Sequence, residues 1–280
     1  MDLLSPFFAH FALSARVFYS GLLCGASGDH ITETAGHLHV LRRGILNVER
    51  PGGQAIRVTE PSILFYPRPC RHRFQVDQAS GAELVCATVE FGAGMLNPIV
   101  HALPEVLIVP LESVKELTPT VDLLFAEAFG AQPGRQTAVD RLAEYFLVLL
   151  LRAAMNSRLI QGGVLLGLAD RRLAKAIEAM HERPEHSWTL EMLAAKAGMS
   201  RARFAVHFRS TVGVTPFDYL ADWRIGVAQD FLKRGKPLKI VAPAVGYASA
   251  MALTRAFSRR VGLSPTVWIS KVLNDRKIAS

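Results

Sequence analysis

The strongest constraint on this chain is a pattern of residues that two of its stretches share. Residues 188–216 read WTLEMLAAKAGMSRARFAVHFRSTVGVTP, and residues 236–265 read KPLKIVAPAVGYASAMALTRAFSRRVGLSP. Each copy runs a short apolar helix into a glycine (Gly198, Gly246), an apolar residue (Met199, Tyr247) and a serine at a helix N-cap position (Ser200, Ser249). Each then opens a second helix around a central phenylalanine (Phe208, Phe257) and closes on a glycine and a proline. Glycine supplies the tight corner, the serine hydroxyl takes free amides at the helix start, and apolar positions fasten the second helix to the first. One copy is weak evidence for a helix–turn–helix. Two copies, with Ser200 and Ser249 49 residues apart, predict a tandem pair, and FDYLADWRIGVAQDFLKRG between them is long enough for a connecting helix.

The second copy departs from a regular helix at one place. Pro237 is harmless in a first turn, but Pro243 removes a hydrogen bond to the Lys239 carbonyl and costs about 3 kcal/mol inside a regular helix. The helix is expected to kink or stop early there. The charge is also lopsided. Residues 170–280 hold 19 Lys and Arg against 9 Asp and Glu, whereas residues 1–169 hold 13 against 15. A basic excess confined to one part of the chain points to a polyanionic partner for that part.

These features resemble the AraC/XylS family of transcription regulators. The carriers are Trp223 and Arg224, the Val245-Gly246-Tyr247 and Ser249 corner, Arg255-Ala256-Phe257, and Gly262-Leu263-Ser264-Pro265. The resemblance implies two helix–turn–helix units on a rigid central helix, each placing a recognition helix in one of two successive major grooves of a double-stranded DNA operator. In the first unit it implies contacts from Ala202, Ala205 and Val206, beside Arg201 and Arg203. In the second it implies contacts from Ala250, Met251, Thr254 and Arg255. Arg255 suits a guanine edge, the apolar positions suit thymine methyls, and Arg209, Arg259 and Arg260 suit phosphates. A homodimer and RNA polymerase are the expected protein partners.

The first hundred residues read differently. Short apolar runs (LHVLRR, AIRVT, SILFYP, HRFQV, ELVCATVEF) alternate with turn signals such as PGGQ and ASGA, which predicts an antiparallel sandwich or barrel. From Leu111, LTPTVDLLFAEAF and TAVDRLAEYFLVLLLRAAMNS take helical spacing. The second is nearly all apolar from Tyr145 to Leu151, so it is expected to be buried on most sides, partly against a second copy of itself. The expected fold class is therefore α+β multidomain: a barrel over about 1–110, helices over 111–160, a linker over 161–169 around Gly162 and Gly163, and an all-α double helix–turn–helix domain over 170–280.

This half resembles the cupin-type sensor domain of AraC-family members, and most of all the branch that responds to reactive chlorine and related oxidants. The carriers are the MDLLS start, Cys24, Leu84-Val85-Cys86 and Leu103-Pro104-Glu105-Val106-Leu107. The resemblance implies redox sensing by Cys24 and Cys86, with Cys70 a bystander. Three cysteines make no disulfide framework and suit a reducing cytoplasm. His37, His39 and His72 stand roughly where cupin enzymes hold a metal, but positions 40–48 lack the usual acidic ligand, so the expectation is no metal and no cofactor. No catalytic grouping stands out, and an enzyme is not expected. The weighed alternatives are a small organic effector in the barrel and a cupin metalloenzyme with a basic accessory domain. No apolar run reaches the roughly 18 residues of a membrane span. His10 and Arg16 interrupt the faintly signal-like N-terminal stretch.

Overall fold

The computed structural model describes residues 4–28, 35–92, 97–156 and 162–278, with side chains to 274. In chain order, α1 (Ser5–His10) leads into β1 (Leu13–Leu23), β2 (Gly25–Ala26), β3 (Gly36–Arg43), β4 (Leu46–Glu49) and β5 (Ile56–Val58). Then come β6 (Ser62–Tyr66), β7 (Arg73–Val76), β8 (Ala82–Phe91), α2 (Pro98–Ala102) and β9 (Leu107–Pro110). A 3-10 segment over Leu111–Leu117 precedes α3 (Thr118–Ala128) and α4 (Arg135–Asn156). The remaining helices are α5 (Val164–Ala169), α6 (Arg171–Glu182), α7 (Leu190–Lys196), α8 (Arg201–Val212), α9 (Pro216–Lys233), α10 (Leu238–Ala244), α11 (Ala250–Val261) and α12 (Pro265–Ile278).

The strands form two antiparallel sheets, in the orders β1-β8-β3-β6-β9 and β2-β7-β4-β5. Between them lies an apolar core that includes Leu41, Val48, Leu64, Phe74, Leu84 and Cys86. Both faces of β6 are covered, so SILFY is buried at every position and reads as a continuous apolar run. A side chain at Gly36 would meet the Tyr66 carbonyl oxygen at 2.2 Å, so only glycine lets β3 start beside β6. The free edge of β1 is covered by α4. Asp140 accepts from the Val17 amide (2.7 Å), and Gln136 donates to the Val17 carbonyl (2.8 Å), at the bulge between Val17 and Tyr19. These bonds satisfy edge groups that would otherwise invite another strand. Helix α4 buries Phe146, Leu147, Leu150 and Leu151 in its own unit and leaves Tyr145 exposed.

The compact units depart from the contiguous division expected. Described residues of 1–12, 95–102 and 161–280 form one unit, and those of 13–94 and 103–160 form the other. Phe7 and Phe11 of the first segment are fully buried against Trp223 of α9, with ring centroids 5.1 and 5.2 Å away. The apolar gain of burying two phenylalanines exceeds what a loose N-terminus could keep. The boundary expected near residue 160 lies outside the described residues. The expected linker over 161–169 is in large part helix α5, because Val164, Leu165 and Leu168 are buried and cannot remain in a solvated connection. Among the described residues no helix is long and apolar enough to cross a membrane.

Candidate nucleic-acid interface

The two spelled-out copies fold into matching corners. Helices α7 and α10 each have seven residues, and α8 and α11 each have twelve. After α7 the Met199 amide reaches the Ala194 carbonyl at 3.0 Å. After α10 the Tyr247 amide reaches the Ala242 carbonyl at 2.9 Å. Gly198 (φ +63°) and Gly246 (φ +79°) take the left-handed turn that this closure needs. Pro243 sits in the last turn of α10, which ends one residue later, so the helix stops early and the corner keeps the geometry of its partner. Ser249 caps α11 by accepting from the Ala252 amide (3.1 Å). Ser200 holds the N-cap position of α8 but makes no capping bond, contrary to expectation. Both recognition helices close on left-handed glycines, Gly213 and Gly262.

The faces divide cleanly. Phe204, Phe208 and Val212 of α8 and Leu253 and Phe257 of α11 are buried, and the residues between them turn outward. On α8, Ala202, Arg203, Val206 and Arg209 are exposed, Arg201 is exposed but paired with Glu191 (2.9 Å), and Ala205 is half-buried. On α11, Met251, Arg255 and Arg259 are exposed, and Ala250 and Thr254 are half-buried. Val206 and Met251 are 71% and 65% exposed, large values for apolar side chains on a folded surface. The Thr254 hydroxyl donates to the Ala250 carbonyl (2.8 Å), so it offers the groove an acceptor oxygen and a methyl rather than a donor. Arg260 is not a free phosphate ligand: it binds Asp222 and, at 3.3 Å, Asp218 of α9, and so ties α11 to the central helix.

Three positioning contacts escaped the sequence reading. Arg224 donates to the carbonyls of Pro184 (2.6 Å) and His186 (2.8 Å) and lies 5.9 Å over the Tyr247 ring, linking the approach to the first unit with the corner of the second. Gly246 also makes room for this guanidinium, since a side chain there would come within 2.6 Å of it. His207 of α8 bonds Asp170 (2.7 Å), whose carboxylate caps α6 through the Arg172 and Leu173 amides. His181 of α6 bonds the Tyr219 hydroxyl (2.6 Å) and stacks on Trp223 at 3.6 Å. Burial, and then His10, holds the His181 imidazole well below its ordinary pKa. The signal for Arg224 was its own motif; for His207, only its place on a recognition helix.

The barrel thiols and histidines are also placed. Cys24 is exposed, Cys70 half-buried and Cys86 buried. Register pairs Leu23 with Ala82 and Tyr19 with Cys86, which puts Cys24, one residue beyond Leu23, roughly 16 Å from Cys86 along the strands at about 3.3 Å per residue. A disulfide needs Cα atoms within about 7 Å, so the two cannot bridge while β1 stays paired to β8. Burial pushes the Cys86 thiol far up. Burial, and then Cys86 and Cys24, raise the Tyr19 hydroxyl above its ordinary pKa. His37, His39 and His72 do come together, all buried, with ring centroids 4.9 to 5.8 Å apart. The His72 Nδ1 faces the Cys70 carbonyl (2.9 Å) and donates, so in the neutral ring its Nε2 accepts from His39 Nε2 at 2.8 Å. Among the described residues no group of His, Cys, Asp or Glu is arranged to hold a metal ion.

A basic face carrying two matching recognition helices on one central helix, joined to a two-sheet barrel, defines a DNA-binding regulator with an attached β-sheet domain. Residues 2–156 match the cupin family and residues 193–271 match the helix-turn-helix domain family. Among relatives, the RCS-specific HTH-type transcriptional activator RclR of Escherichia coli is 30% identical over 239 residues, 84% of each chain. The HTH-type transcriptional regulator MtrA of Neisseria gonorrhoeae is 30% identical over 196 residues, 69% of this chain and 65% of that one. The solved structure of ToxT from Vibrio cholerae with a bound unsaturated fatty acid aligns over 92% of this chain and 94% of its own, at 13% identity and a TM-score of 0.41. The DNA-binding domain of AdpA in complex with a target DNA aligns over 39% of this chain and 97% of its own, at 31% identity and a TM-score of 0.36. The chain belongs to the AraC family of transcription regulators. It is a DNA-binding regulator and not an enzyme, which sets aside the metalloenzyme alternative.

Proposed function

We propose that this regulator is a cytoplasmic homodimeric activator that engages RNA polymerase and is switched by an oxidant acting on Cys24 and Cys86. The reading of DNA rests on the paired outward faces of α8 and α11. Arg255 takes a guanine edge; Ala202, Ala205, Val206, Ala250, Met251 and the Thr254 methyl take thymine methyls; Arg201, Arg203, Arg209 and Arg259 take phosphates. The observation that carries this assignment is the equal length and equal corner closure of the two units. Dimerisation is supported by the outward side of α4, where Tyr145 is exposed and Val148 and Leu149 are half-buried. Phe146, within the same apolar run, is buried in the core and takes no part in that face.

The oxidant reading draws on the relative whose name declares it RCS-specific and on the exposure of Cys24. Hypochlorous acid transfers its oxygen to the Cys24 thiol, which leaves a sulfenic acid, chloride and a proton released to solvent. The Cys86 thiol then displaces water to form the disulfide. Because the two are held apart by register, the second step requires β1 to leave β8, and that opening is the switch. Genome-wide DNA capture with and without brief hypochlorous acid exposure tests the whole reading. Reporter response lost in Cys24→Ser and Cys86→Ser strains and kept in Cys70→Ser supports it. A full response from the Cys24→Ser, Cys86→Ser double variant refutes the thiol switch and leaves a small effector in its place.

A further inference from the structure

The DNA-binding unit contains a cleft that the assigned DNA contacts do not use. Its volume is about 310 Å³, at the lower end of what small-molecule sites occupy. Pro98, Val164, Val212 and Val214 give it apolar walls, and Asp222 stands on one side. Val212 ends the first recognition helix, and Asp222 belongs to the central helix, so the cleft touches the frame of the first unit directly. It touches the second through Asp222, because that carboxylate holds Arg260 of α11.

The chemistry of the acidic wall selects an occupant. Asp218 and Asp222 share a single guanidinium, and His101 on the cleft wall is the other basic group that acts on Asp222, so with a neutral imidazole one negative charge is left uncompensated. Arg260 uses Oδ1 of Asp222, and Oδ2 accepts no hydrogen bond from any described residue. The Asp222 side chain is 30% exposed, so this oxygen is partly withdrawn from water beside an apolar surface. A half-desolvated carboxylate with a free oxygen is stabilised by a cationic donor, and most by one whose remainder covers the valines. We infer that this cleft is a binding site for a small amphipathic cation, an amine or amidine with an apolar body, that takes Asp222 and loosens its hold on Arg260. The inference rests on the DNA-binding reading. It adds a second point of control, independent of the barrel and its thiols. With the cation bound, Arg260 is released to a DNA phosphate, so binding to DNA becomes more salt-dependent.

The test uses the full chain, a duplex selected by that chain, and benzamidine as the probe, with benzamide as its neutral isostere and benzoate as the anionic control. Calorimetry is expected to show saturable one-to-one binding of benzamidine, at least tenfold weaker binding of benzamide, and none of benzoate. Val214→Trp places a large ring at the half-exposed mouth and is expected to weaken benzamidine at least tenfold while binding the duplex as the parent does. Hydrogen exchange on the unmodified chain locates the site without any variant, and protection is expected over residues 212–222. The slope of log affinity for the duplex against log salt is expected to steepen by about 0.9 with benzamidine, as one added phosphate contact requires. Benzamide binding as well as benzamidine, protection elsewhere in the chain, or an unchanged salt slope overturns the inference. So does the absence of benzamidine binding at millimolar concentration in a chain that still binds its duplex. A chain that selects no duplex at all overturns the DNA assignment instead.

Discussion

Val206 is the outward apolar residue of the first recognition helix, and its contribution can be isolated. At 71% exposure it makes few contacts in the free protein, so whatever Val206→Ala loses in affinity is lost from the complex. Removing its two methyl groups from a contact with a thymine methyl forfeits about 0.8 kcal/mol per group when burial is complete, or about 1–1.5 kcal/mol in practice. That corresponds to roughly five- to twelve-fold in Kd. The protein itself is not weakened, because alanine is the better helix former by about half a kcal/mol at an exposed position. The partner can be cut from the other side: replacing the contacted thymine by uracil removes only the methyl, worth about 0.8 kcal/mol or four-fold. Fluorescence anisotropy on the four combinations forms a double-mutant cycle. The expected result is non-additivity, with Val206→Ala costing little on the uracil duplex. Losses that simply add at every thymine tested would refute methyl recognition by Val206.

The second recognition helix separates specificity from charge. Arg255→Ala is expected to cost about 1–3 kcal/mol and relax preference at one base pair, whereas Arg259→Ala weakens all sequences alike and lowers the salt slope by about 0.9; competition binding at several salt concentrations distinguishes them. Gly246→Ala is expected to lower the melting temperature more than Gly198→Ala. Both residues have positive φ, but an added carbon meets the Arg224 guanidinium and the Pro184 carbonyl at Gly246 and open space at Gly198. His181 makes stability depend on pH. Its folded pKa is depressed, so the unfolded chain takes up a proton near pH 6.5 while the folded chain does not. Its contribution is complete above about pH 6.5 and then declines by up to about 1.4 kcal/mol per pH unit until the folded value is reached. Denaturant melts at pH 7.5 and 5.5 check this, and a slope unchanged in His181→Gln would refute it.

The repeated corner was legible because its information is local. A glycine at positive φ, a cap position, a central phenylalanine and a closing glycine need only neighbours within a dozen residues, and both copies folded as their spacing required. Strands β3, β5, β6, β7 and β8 were legible for the same reason, while the eleven-residue β1 lies in a stretch whose apolar run reads as faintly signal-like. Pro243 looked disruptive because a lone sequence cannot say how long a helix intends to be. In a seven-residue helix it falls where the chain stops anyway. What the tertiary structure alone decided are pairings between residues far apart in the chain: Phe7 and Phe11 against Trp223, Arg260 against Asp218 and Asp222, and Asp140 on the edge of β1. An apolar helix start or an exposed-looking arginine is the same string whether or not a partner waits more than thirty residues away. The two thiols show the limit most plainly. Their positions in the chain suggested a pair, but a β-ladder slides residues past each other by fixed steps of about 3.3 Å, and that register is set by the packing of the whole barrel rather than by either cysteine.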